Sequence, residues 1–195
     1  MTGLRIGLLG GSFNPAHDGH RHISLFALRR LRLDAVWWLV SPQNPLKSES
    51  GMAAFAERLT GARDVARHPN IRVSDIEAKL GTRYTVDTLR ALRRRYPGHH
   101  FVWIMGADNL IQLPAWRDWT AIFDLVPVAV FDRPPYAAKA LSGIAAQRYR
   151  RRRLPDRSAA LLAGRVPPAW VFLHTPLHPV SATQIRAERQ VERSV

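Results

Sequence analysis

Six short apolar runs divide this chain, and they constrain its fold more than any other feature of the sequence. The runs do not alternate with polar residues, which is typical of strands buried on both faces of a sheet. Segments with helical spacing lie between them. The sequence therefore predicts an α/β fold, with a doubly wound, Rossmann-like parallel sheet and helices on both faces. The predicted strands are Leu4–Leu9, Ala35–Val40, Ile71–Val73, Phe101–Met105, Val128–Phe131 and Trp170–Leu173.

Three of the intervening segments have apolar residues at helical spacing. The first begins near His22 and continues to Leu31, the second covers 55–66, and the third covers 86–92 before Pro97 ends it. Ligands of parallel sheets bind beyond the carboxyl ends of the strands. The loops that follow the predicted strands are therefore the places where a functional site is expected.

The chain of 195 residues has the length of one ordinary domain, which we predict over 1–195. We expect one or two helices with loops in the region 134–168. We also expect the part from about 134 to 195 to complete a phosphate-binding site. The chain has no cysteine and no apolar run near the ~20 residues that a membrane helix needs. We expect no signal peptide, because the N-terminal residues lack a basic region followed by a long apolar one. These observations favour a reducing compartment and a cytoplasmic location.

The formal net charge of +14 is unusually high. A positive field suits an enzyme whose ligands are anions, because it raises their local concentration, and it also suits nucleic-acid binding. The arginines cluster at Arg29–Arg32, Arg93–Arg95 and Arg148–Arg153. We interpret the first two clusters as solvated helix faces. The third is denser, and three interpretations stay open: a mobile basic segment, a contact for anionic partners, or a solubilising surface.

The loop Gly10–His20, with the sequence GGSFNPAHDGH, lies between the first predicted strand and the first predicted helix. The glycine turn of Gly10 and Gly11 allows backbone N–H groups to approach an anion, and a helix N-terminus adds partial positive charge. His17 and His20 are suited to donate to oxygens on which charge develops. The pattern therefore favours a phosphate site over a plain turn. A metal site is weaker, because neither a cysteine nor an HExxH pattern completes a ligand set.

A second constellation lies near the C-terminus, at Ser181–Arg186. Ser181 and Gln184 have the spacing of a capping box, so the segment predicts at least a well-capped helix start. Thr183 adds a hydroxyl in the first turn, and Arg186 adds a guanidinium near the same end. Free N–H groups together with a guanidinium make a strong site for phosphate oxygens.

These two segments resemble the HIGH-type nucleotidyltransferases, whose loop carries HxGH and whose C-terminal motif reads ISSTxIR. The second segment reads VSATQIR here, with Ala182 in the place of a serine. The resemblance implies a nucleotidyltransferase-type fold, attack on the α-phosphate of a nucleoside triphosphate, and release of pyrophosphate. The catalytic residues that it implies are His17, His20, Lys47 and Arg186. The ATP-binding residues that it implies are Gly10, Gly11, Ser12, Phe13, His17, His20, Gly106, Asp108, Ser181, Thr183 and Arg186.

Three motifs in the middle of the chain are similar to those of the bacterial nicotinate mononucleotide adenylyltransferases. TRYTVDTL at 82–89 resembles SYTxDTL, GADN at 106–109 matches GADN, and LPAWRDW at 113–119 matches LxxWxxW. In that family the helix that starts at the SYTxDTL motif receives the nicotinate ring of the acceptor at its N-terminus. The third implies that Trp116 stacks on the pyridine ring, a contact worth about 0.5–2 kcal/mol by analogy with cation–π pairs. Two tryptophans at this spacing on a helix are commonly core residues, and we expect Trp119 to be one.

Two further loops carry the same resemblance with one substitution each. SPQNPLK at 41–47 resembles PxxxPHK, with Leu46 in the place of the histidine. FDRP at 131–134 resembles the RPG element, with Pro135 in the place of the glycine. The residues that the resemblance implies for nicotinate mononucleotide binding are Asn14, Lys47, Tyr84, Thr85, Trp116 and Arg133.

The reaction that the resemblance implies is transfer of the adenylyl group of ATP to nicotinate mononucleotide, which gives deamido-NAD and pyrophosphate. The acceptor's phosphate is already a nucleophile near neutral pH, so we expect no general base. Catalysis then consists of holding two anions in line and neutralising the developing charge. We expect Mg²⁺ as the cofactor, held mainly by the ATP phosphates and by water, and we assign no metal ligand in the chain.

Other functions stay open on the sequence alone. Nicotinamide mononucleotide or phosphopantetheine as acceptor would keep the chemistry and change the substrate. A basic nucleic-acid-binding module fits the charge, but the arginine clusters have no interleaved aromatic residue apart from Tyr149, and no RRM, KH or zinc pattern is present. Class I aminoacyl-tRNA synthetases share HxGH, but this chain is short for one and has no KMSKS-like sequence. The oligomeric state is left open.

Overall fold

All strand pairs in the described part of the chain are parallel. The computed structural model describes residues 3–42 and 51–175, and within them the strands form one seven-stranded sheet. The strands are β1 (Arg5–Gly11), β2 (Ala35–Val40), β3 (Ile71–Ser74), β4 (His100–Gly106), β5 (Val128–Phe131), β6 (Arg153–Leu154) and β7 (Trp170–Leu173). Their order across the sheet is β3-β2-β1-β4-β5-β7-β6. The predicted doubly wound parallel sheet is confirmed.

Helices connect the strands and cover both faces of the sheet. The α-helices of the described residues are α1 (Asp18–Arg30), α2 (Phe55–Ala66), α3 (Ile76–Leu80), α4 (Thr85–Arg95), α5 (Ala107–Gln112), α6 (Trp119–Leu125), α7 (Ala137–Ser142) and α8 (Ile144–Arg148). Short 3-10 segments are formed by Leu113–Ala115, Arg150–Arg152 and Asp156–Gly164. None of the described helices has both the length and the apolar character that crossing a membrane requires.

Each face of the sheet has its own core, because the strands are apolar on both sides. On one face α1, α2 and the 3-10 segment 156–164 pack on strand residues such as Trp38 and Val102. On the other face α4 to α8 pack on strand residues such as Trp103 and Trp170. The two layers of helices leave the carboxyl edge of the sheet for the loops.

The start of α1 and the presence of β6 differ from the prediction, and β1, β3 and β4 differ from their predicted bounds by one or two residues at their ends. α1 begins at Asp18, before the apolar pattern that starts near His22, because side-chain capping defines its first turn and apolar spacing does not. β6 pairs with β7 at the edge of the sheet, and its two residues are too few to show a period. The arginine run is therefore divided among elements: Arg148 ends α8 and Arg153 begins β6.

The tryptophan pair does not lie on one helix, so that expectation was wrong. Trp116 follows a 3-10 segment in extended backbone, whereas Trp119 is the first residue of α6. Asp118 between them has a φ of 48°, and the chain changes direction there. Both tryptophans are half-buried against the core, so Trp119 lies at the edge of the core and not inside it.

The strand order places a switch point between β1 and β4. From β1 the chain builds outward through β2 to β3, and it then returns to β4 on the other side of β1. In open parallel sheets, ligands bind in the crevice at the carboxyl ends of the strands that flank such a point. Those ends are Gly11 and Gly106 here. The fold thus brings the loop after β1 beside the GADN segment.

Gly10 lies inside β1 and allows the strand to approach a tryptophan of β4. A Cβ atom at Gly10 would lie 2.5 Å from Cη2 of Trp103 and 3.2 Å from its Cζ2. The indole ring is buried in the core, where close packing leaves it little room to move. Glycine at this position is therefore required by packing.

We expect Gly10→Ala to lower the free energy of unfolding by about 1–3 kcal/mol, because the added methyl group overpacks the contact with Trp103. Gly61→Ala in α2 is the matched control. A Cβ there meets nothing within 4 Å outside its neighbours and its own helix backbone, so alanine should stabilise by roughly 0.5–1 kcal/mol. Urea unfolding followed by circular dichroism measures both changes, and a Gly10→Ala protein as stable as the wild type would contradict the contact.

Candidate active site

The loop after β1 is anchored by an aromatic side chain. Phe13 is buried, and its ring stacks on that of Trp38 with 5.1 Å between the centroids. The indole N–H of Trp38 donates to Oγ of Ser24 at 2.8 Å, so the surface under Phe13 is itself fixed. Phe13 has a φ of 46°, a conformation that costs free energy for a residue with a bulky side chain. Burial of the ring offsets that cost and holds the loop in place.

His17 and His20 cap the N-terminus of α1 reciprocally. His17 is the N-cap residue, and its Nδ1 accepts the backbone N–H of Gly19 at 3.1 Å. Nδ1 of His20 accepts the backbone N–H of His17 at 3.2 Å. The two imidazole rings lie 3.9 Å apart between centroids. The arrangement is a capping box made of two imidazoles in place of a hydroxyl and a carboxylate.

These capping bonds decide which ring nitrogen of each histidine carries the proton. An Nδ1 atom that accepts an N–H uses its lone pair to do so, and the proton of the neutral ring then lies on Nε2. In the neutral form, His17 and His20 thus each carry their donor on Nε2, and both rings lie at one helix N-terminus, where the helix dipole favours an anion. The HxGH pattern predicts the pair of donors but not this orientation.

An ion pair lies at the ends of β4 and β5. Nη1 of Arg133 donates to Oδ2 of Asp108 at 2.9 Å. A Cβ atom at Gly106 would lie 2.5 Å from Oδ1 of Asp108, so a side chain at this position would displace the carboxylate. Arg133 is exposed, and solvent screens the pair. Two residues that were predicted for different ligands, Asp108 for ATP and Arg133 for the acceptor, are therefore neighbours.

The residues predicted for the acceptor ring surround the start of α4. Tyr84 is the N-cap of this helix, and Thr85 is its first residue. The guanidinium of Arg117 lies 4.7 Å from the centre of the Tyr84 ring, in cation–π geometry. Trp116 precedes Arg117 and so lies near the same helix start. Its Nε1 is buried and has no hydrogen-bond partner among the described residues.

The other predicted residues of the loop after β1 make contacts within the protein. Gly10 and Gly11 belong to β1 and pair with β2, so they do not form the predicted turn. Ser12 follows them and is buried. Asn14 bridges to the chain that enters α2: its Nδ2 donates to the carbonyl of Gly51 at 3.1 Å, and its Oδ1 accepts an N–H of the same segment at 3.2 Å. Its contact with the acceptor stays a prediction.

Several predicted site residues lie outside the described residues, and so do two of the substituted positions. The predicted residues concerned are Lys47, Ser181, Thr183 and Arg186. The substituted positions concerned are Leu46 and Ala182. The meeting of the two phosphate-binding segments therefore stays a prediction.

Two buried ionisable side chains beside these loops were missed by the sequence analysis. Arg58 of α2 is 4% exposed, and Glu77 of α3 is 8% exposed. Arg58 lies on the apolar face of its helix, in the spacing that joins Phe55 to Ala62, so a charge within an apolar stripe is the signal that would have identified it. The five residues of α3 are too few for such a pattern, and no feature of the sequence marks Glu77.

Glu77 connects the end of β2 with the first turn of α4. Its Oε1 accepts the hydroxyl of Thr88 at 3.2 Å, and its carboxyl also hydrogen-bonds the side chain of Ser41. Oγ1 of Thr88 lies 2.8 Å from Oγ1 of Thr82, which extends the network. Burial raises the pKa of Glu77 to about 7, because desolvation of the carboxylate outweighs the hydrogen bonds that favour its ionised form.

Comparison with known proteins first defines the class. Residues 8–188 match the family described as cytidylyltransferase-like. The structure also resembles that of a Plasmodium falciparum nicotinic acid mononucleotide adenylyltransferase complexed with NaAD, with a TM-score of 0.71 over 94% of this chain and 83% of that chain. Their sequences are 15% identical, so this likeness shows the shared fold. The chain is a cytidylyltransferase-like protein, in agreement with its fold and its histidine loop.

Two curated relatives then identify the family within that class. The chain is 58% identical over 184 residues to a probable nicotinate-nucleotide adenylyltransferase of Parvibaculum lavamentivorans, which covers 94% of this chain and 92% of that protein. It is 53% identical over 186 residues to one of Caulobacter sp. strain K31, which covers 95% of this chain and 98% of that protein. The chain belongs to the nicotinate-nucleotide adenylyltransferase family, and the predicted resemblance is confirmed.

The pKa of Glu77 predicts how the stability of the protein depends on pH. An acid whose pKa rises from 4.5 to about 7 on folding holds its proton more tightly in the folded state. The folded state therefore loses stability relative to the unfolded chain as the pH rises from about 4.5 to about 7, and the loss is complete above that range. At about 1.4 kcal/mol per pKa unit, the loss is on the order of 3 kcal/mol.

We expect Glu77→Gln to remove this loss, because a neutral amide keeps the shape of the side chain and cannot ionise. The variant should differ least from the wild type near pH 4 and should become the more stable of the two toward pH 8. Urea unfolding of both proteins across this range measures the difference, in which the other titrating groups cancel. A difference that does not change with pH would contradict the raised pKa.

Proposed function

We propose that this chain transfers the adenylyl group of ATP to nicotinate mononucleotide, giving deamido-NAD and pyrophosphate in NAD biosynthesis. The observation that carries the proposal is the reciprocal cap of His17 and His20, which orients two Nε2 donors at the switch point of the sheet. Membership of the family supports it, because relatives at 58% and 53% identity bear the name of this activity.

The acceptor supplies its own nucleophile. A phosphate monoester carries close to two negative charges at neutral pH, so its oxygen attacks the α-phosphorus of ATP without a general base. The bond from the acceptor oxygen to the α-phosphorus forms as the bond from that phosphorus to the bridging oxygen breaks, and the electron pair leaves with pyrophosphate. The protein holds the two anions in line and neutralises charge on the α-phosphate and on the leaving group.

Hydrogen-bond donors at the strand ends supply that neutralisation. We assign His17 and His20 to the α-phosphate and the bridging oxygen, because their Nε2–H groups are oriented donors. We assign the outer phosphates to Lys47, Ser181, Thr183 and Arg186. In this proposal the part from about 134 to 195 completes a single domain that binds the triphosphate.

The acceptor ring is assigned to the start of α4. Tyr84, Thr85 and Trp116 supply aromatic faces and a hydroxyl there, and an electron-poor pyridinium is favourable over an indole face. Arg133 is assigned to the acceptor and Asp108 to the nucleotide. Their ion pair lies where the two substrates would meet.

We include Mg²⁺ as the cofactor in this proposal. Mg²⁺ prefers oxygen ligands and keeps several waters, so substrate phosphates commonly hold it with few protein carboxylates. Asp108 is paired with Arg133, and no three His, Asp or Glu side chains in residues 3–42 and 51–175 cluster as metal ligands. These residues fit an ion held mainly by the ATP phosphates and water. When bound, the ion neutralises charge on the phosphate oxygens.

We also propose that the protein works in the cytoplasm. The sequence contains no cysteine, which fits a reducing compartment. The high positive charge fits a reaction in which both substrates and both products are anions.

Pyrophosphate release with Mg²⁺ present tests the proposed reaction. We expect the highest kcat/KM with ATP and nicotinate mononucleotide, and lower values with nicotinamide mononucleotide, with phosphopantetheine, or with CTP in the place of ATP. Trp116→Ala should raise the KM for the acceptor about 2- to 30-fold, which corresponds to about 0.5–2 kcal/mol, and leave the KM for ATP unchanged. Equal kcat/KM with phosphopantetheine, or no release with any acceptor, would overturn the assignment.

Three substitutions of His20 separate its capping role from its role as a donor. His20→Ala removes both, and we expect turnover to fall at least about a hundredfold. His20→Asn keeps an acceptor near the position of Nδ1 and lacks the distal donor, so the helix start is kept and turnover stays low. His20→Gln places an amide N–H near the position of Nε2 and should recover part of the turnover. Steady-state kinetics and thermal unfolding measure both properties, and near-normal turnover of folded His20→Ala would remove the assignment.

A further inference from the structure

Arg58 binds four backbone carbonyls that belong to two separate loops. Its Nε donates to the carbonyl of Ala53 at 3.0 Å. Its Nη1 donates to the carbonyl of Ser12 at 2.6 Å and to that of Ser41 at 2.8 Å. Its Nη2 donates to the carbonyl of Pro42 at 2.8 Å. The guanidinium thereby joins the loop after β1, the end of β2 and the chain that enters α2.

Within the described residues, no carboxylate forms an ion pair with the buried guanidinium of Arg58. Burial lowers the pKa of the guanidinium, yet arginine stays protonated in proteins. The Phe55 ring lies 5.4 Å from the guanidinium carbon. A buried cation is costly unless it is well hydrogen-bonded, and here backbone carbonyls supply the bonds.

The carbonyls that Arg58 binds lie at the carboxyl edge of the sheet, where the candidate active site is. Ser12 is in the loop that carries His17 and His20, and Ser41 and Pro42 directly follow β2. The planar guanidinium has five donors in a fixed geometry, so it sets the distance between the two loops. A lysine would keep the charge, but its single nitrogen does not reproduce the fork.

The same strand end is held from the opposite face of the sheet. Arg58 comes from α2 and binds the Ser41 carbonyl, whereas Glu77 comes from α3 and hydrogen-bonds the Ser41 side chain. Glu77 in turn accepts the hydroxyl of Thr88 in the first turn of α4, the helix start that we assign to the acceptor. The position of Ser41 is thus coupled both to the histidine loop and to the acceptor side.

We propose that Arg58 is a positioning residue for adenylyl transfer: its guanidinium sets the histidine loop and the end of β2 at the separation that the triphosphate requires. The proposal rests on the proposed function. Arg58 acts through the Ser12 loop, and its buried positive charge favours the same anion that the histidines bind.

Arg58→Ala and Arg58→Lys test this role, with Arg63→Ala as the matched control, because Arg63 is an exposed arginine on the same helix. We expect kcat of Arg58→Ala to fall on the order of a hundredfold, as for a small misplacement of catalytic groups. Arg58→Lys keeps the charge, and its kcat should fall about tenfold, to a value between those of the wild type and Arg58→Ala. Arg63→Ala should match the wild type. Thermal unfolding curves show the temperatures at which each protein is folded, and the kcat values are compared only at those temperatures.

Rescue by free guanidinium distinguishes positioning from a merely structural loss. At concentrations well below denaturing ones, guanidinium chloride should restore part of the kcat of Arg58→Ala, or of Arg58→Lys if the alanine variant does not fold. It should not restore His20→Ala, whose missing group is a different one. Folded Arg58 variants with wild-type kcat and KM, or reduced variants without rescue, would overturn the proposal. A wild type that releases no pyrophosphate would instead overturn the proposed function.

Discussion

Parallel strand pairing is the constraint on which the rest of this structure depends. It directs the carboxyl ends of all strands to one edge of the sheet, and the order of the strands opens a crevice between β1 and β4. The loop that carries the two histidines and the GADN segment meet there although about 90 residues separate them. The chemistry of the site therefore follows from topology before any single side chain is considered.

Bonds from side chains to backbone groups hold that edge in shape. Loops at the end of a buried sheet leave carbonyl and N–H groups that need partners. Arg58 supplies donors to four carbonyls, while His17 and His20 accept the N–H groups of the first helical turn. The groups that satisfy the backbone thus also orient the donors proposed for catalysis. Structural roles and proposed catalytic roles coincide at the histidines, whereas Arg58 and Glu77 are buried and hold the loops in place.

The high positive charge is spread through the fold. Arg29 and Arg30 end α1, and the cluster Arg93–Arg95 ends α4, where cations interact favourably with the helix dipole. These two clusters are exposed helix ends, as the sequence predicts. The third run is different, because Arg153 is part of β6 and lies 5.5 Å from the centre of the Trp170 ring. The side chain of Arg153 therefore packs at the edge of the sheet, a placement that a run of arginines in the sequence does not indicate.

The sequence by itself determined the alternation of strands and helices, the parallel sheet and the family, because apolar periods and contiguous motifs are local. It located three strands with correct bounds, Ala35–Val40, Val128–Phe131 and Trp170–Leu173. Only the tertiary structure decided the tautomer of the histidines, the pairing of Asp108 with Arg133 and the carbonyl contacts of Arg58. The ion pair and most of the Arg58 contacts join residues far apart in the chain. The tautomer follows from short-range capping bonds that depend on how each imidazole ring is turned, which the sequence does not state. β6 and α3 are too short to have a period. Contacts between distant residues are set by packing, which a local sequence pattern does not determine.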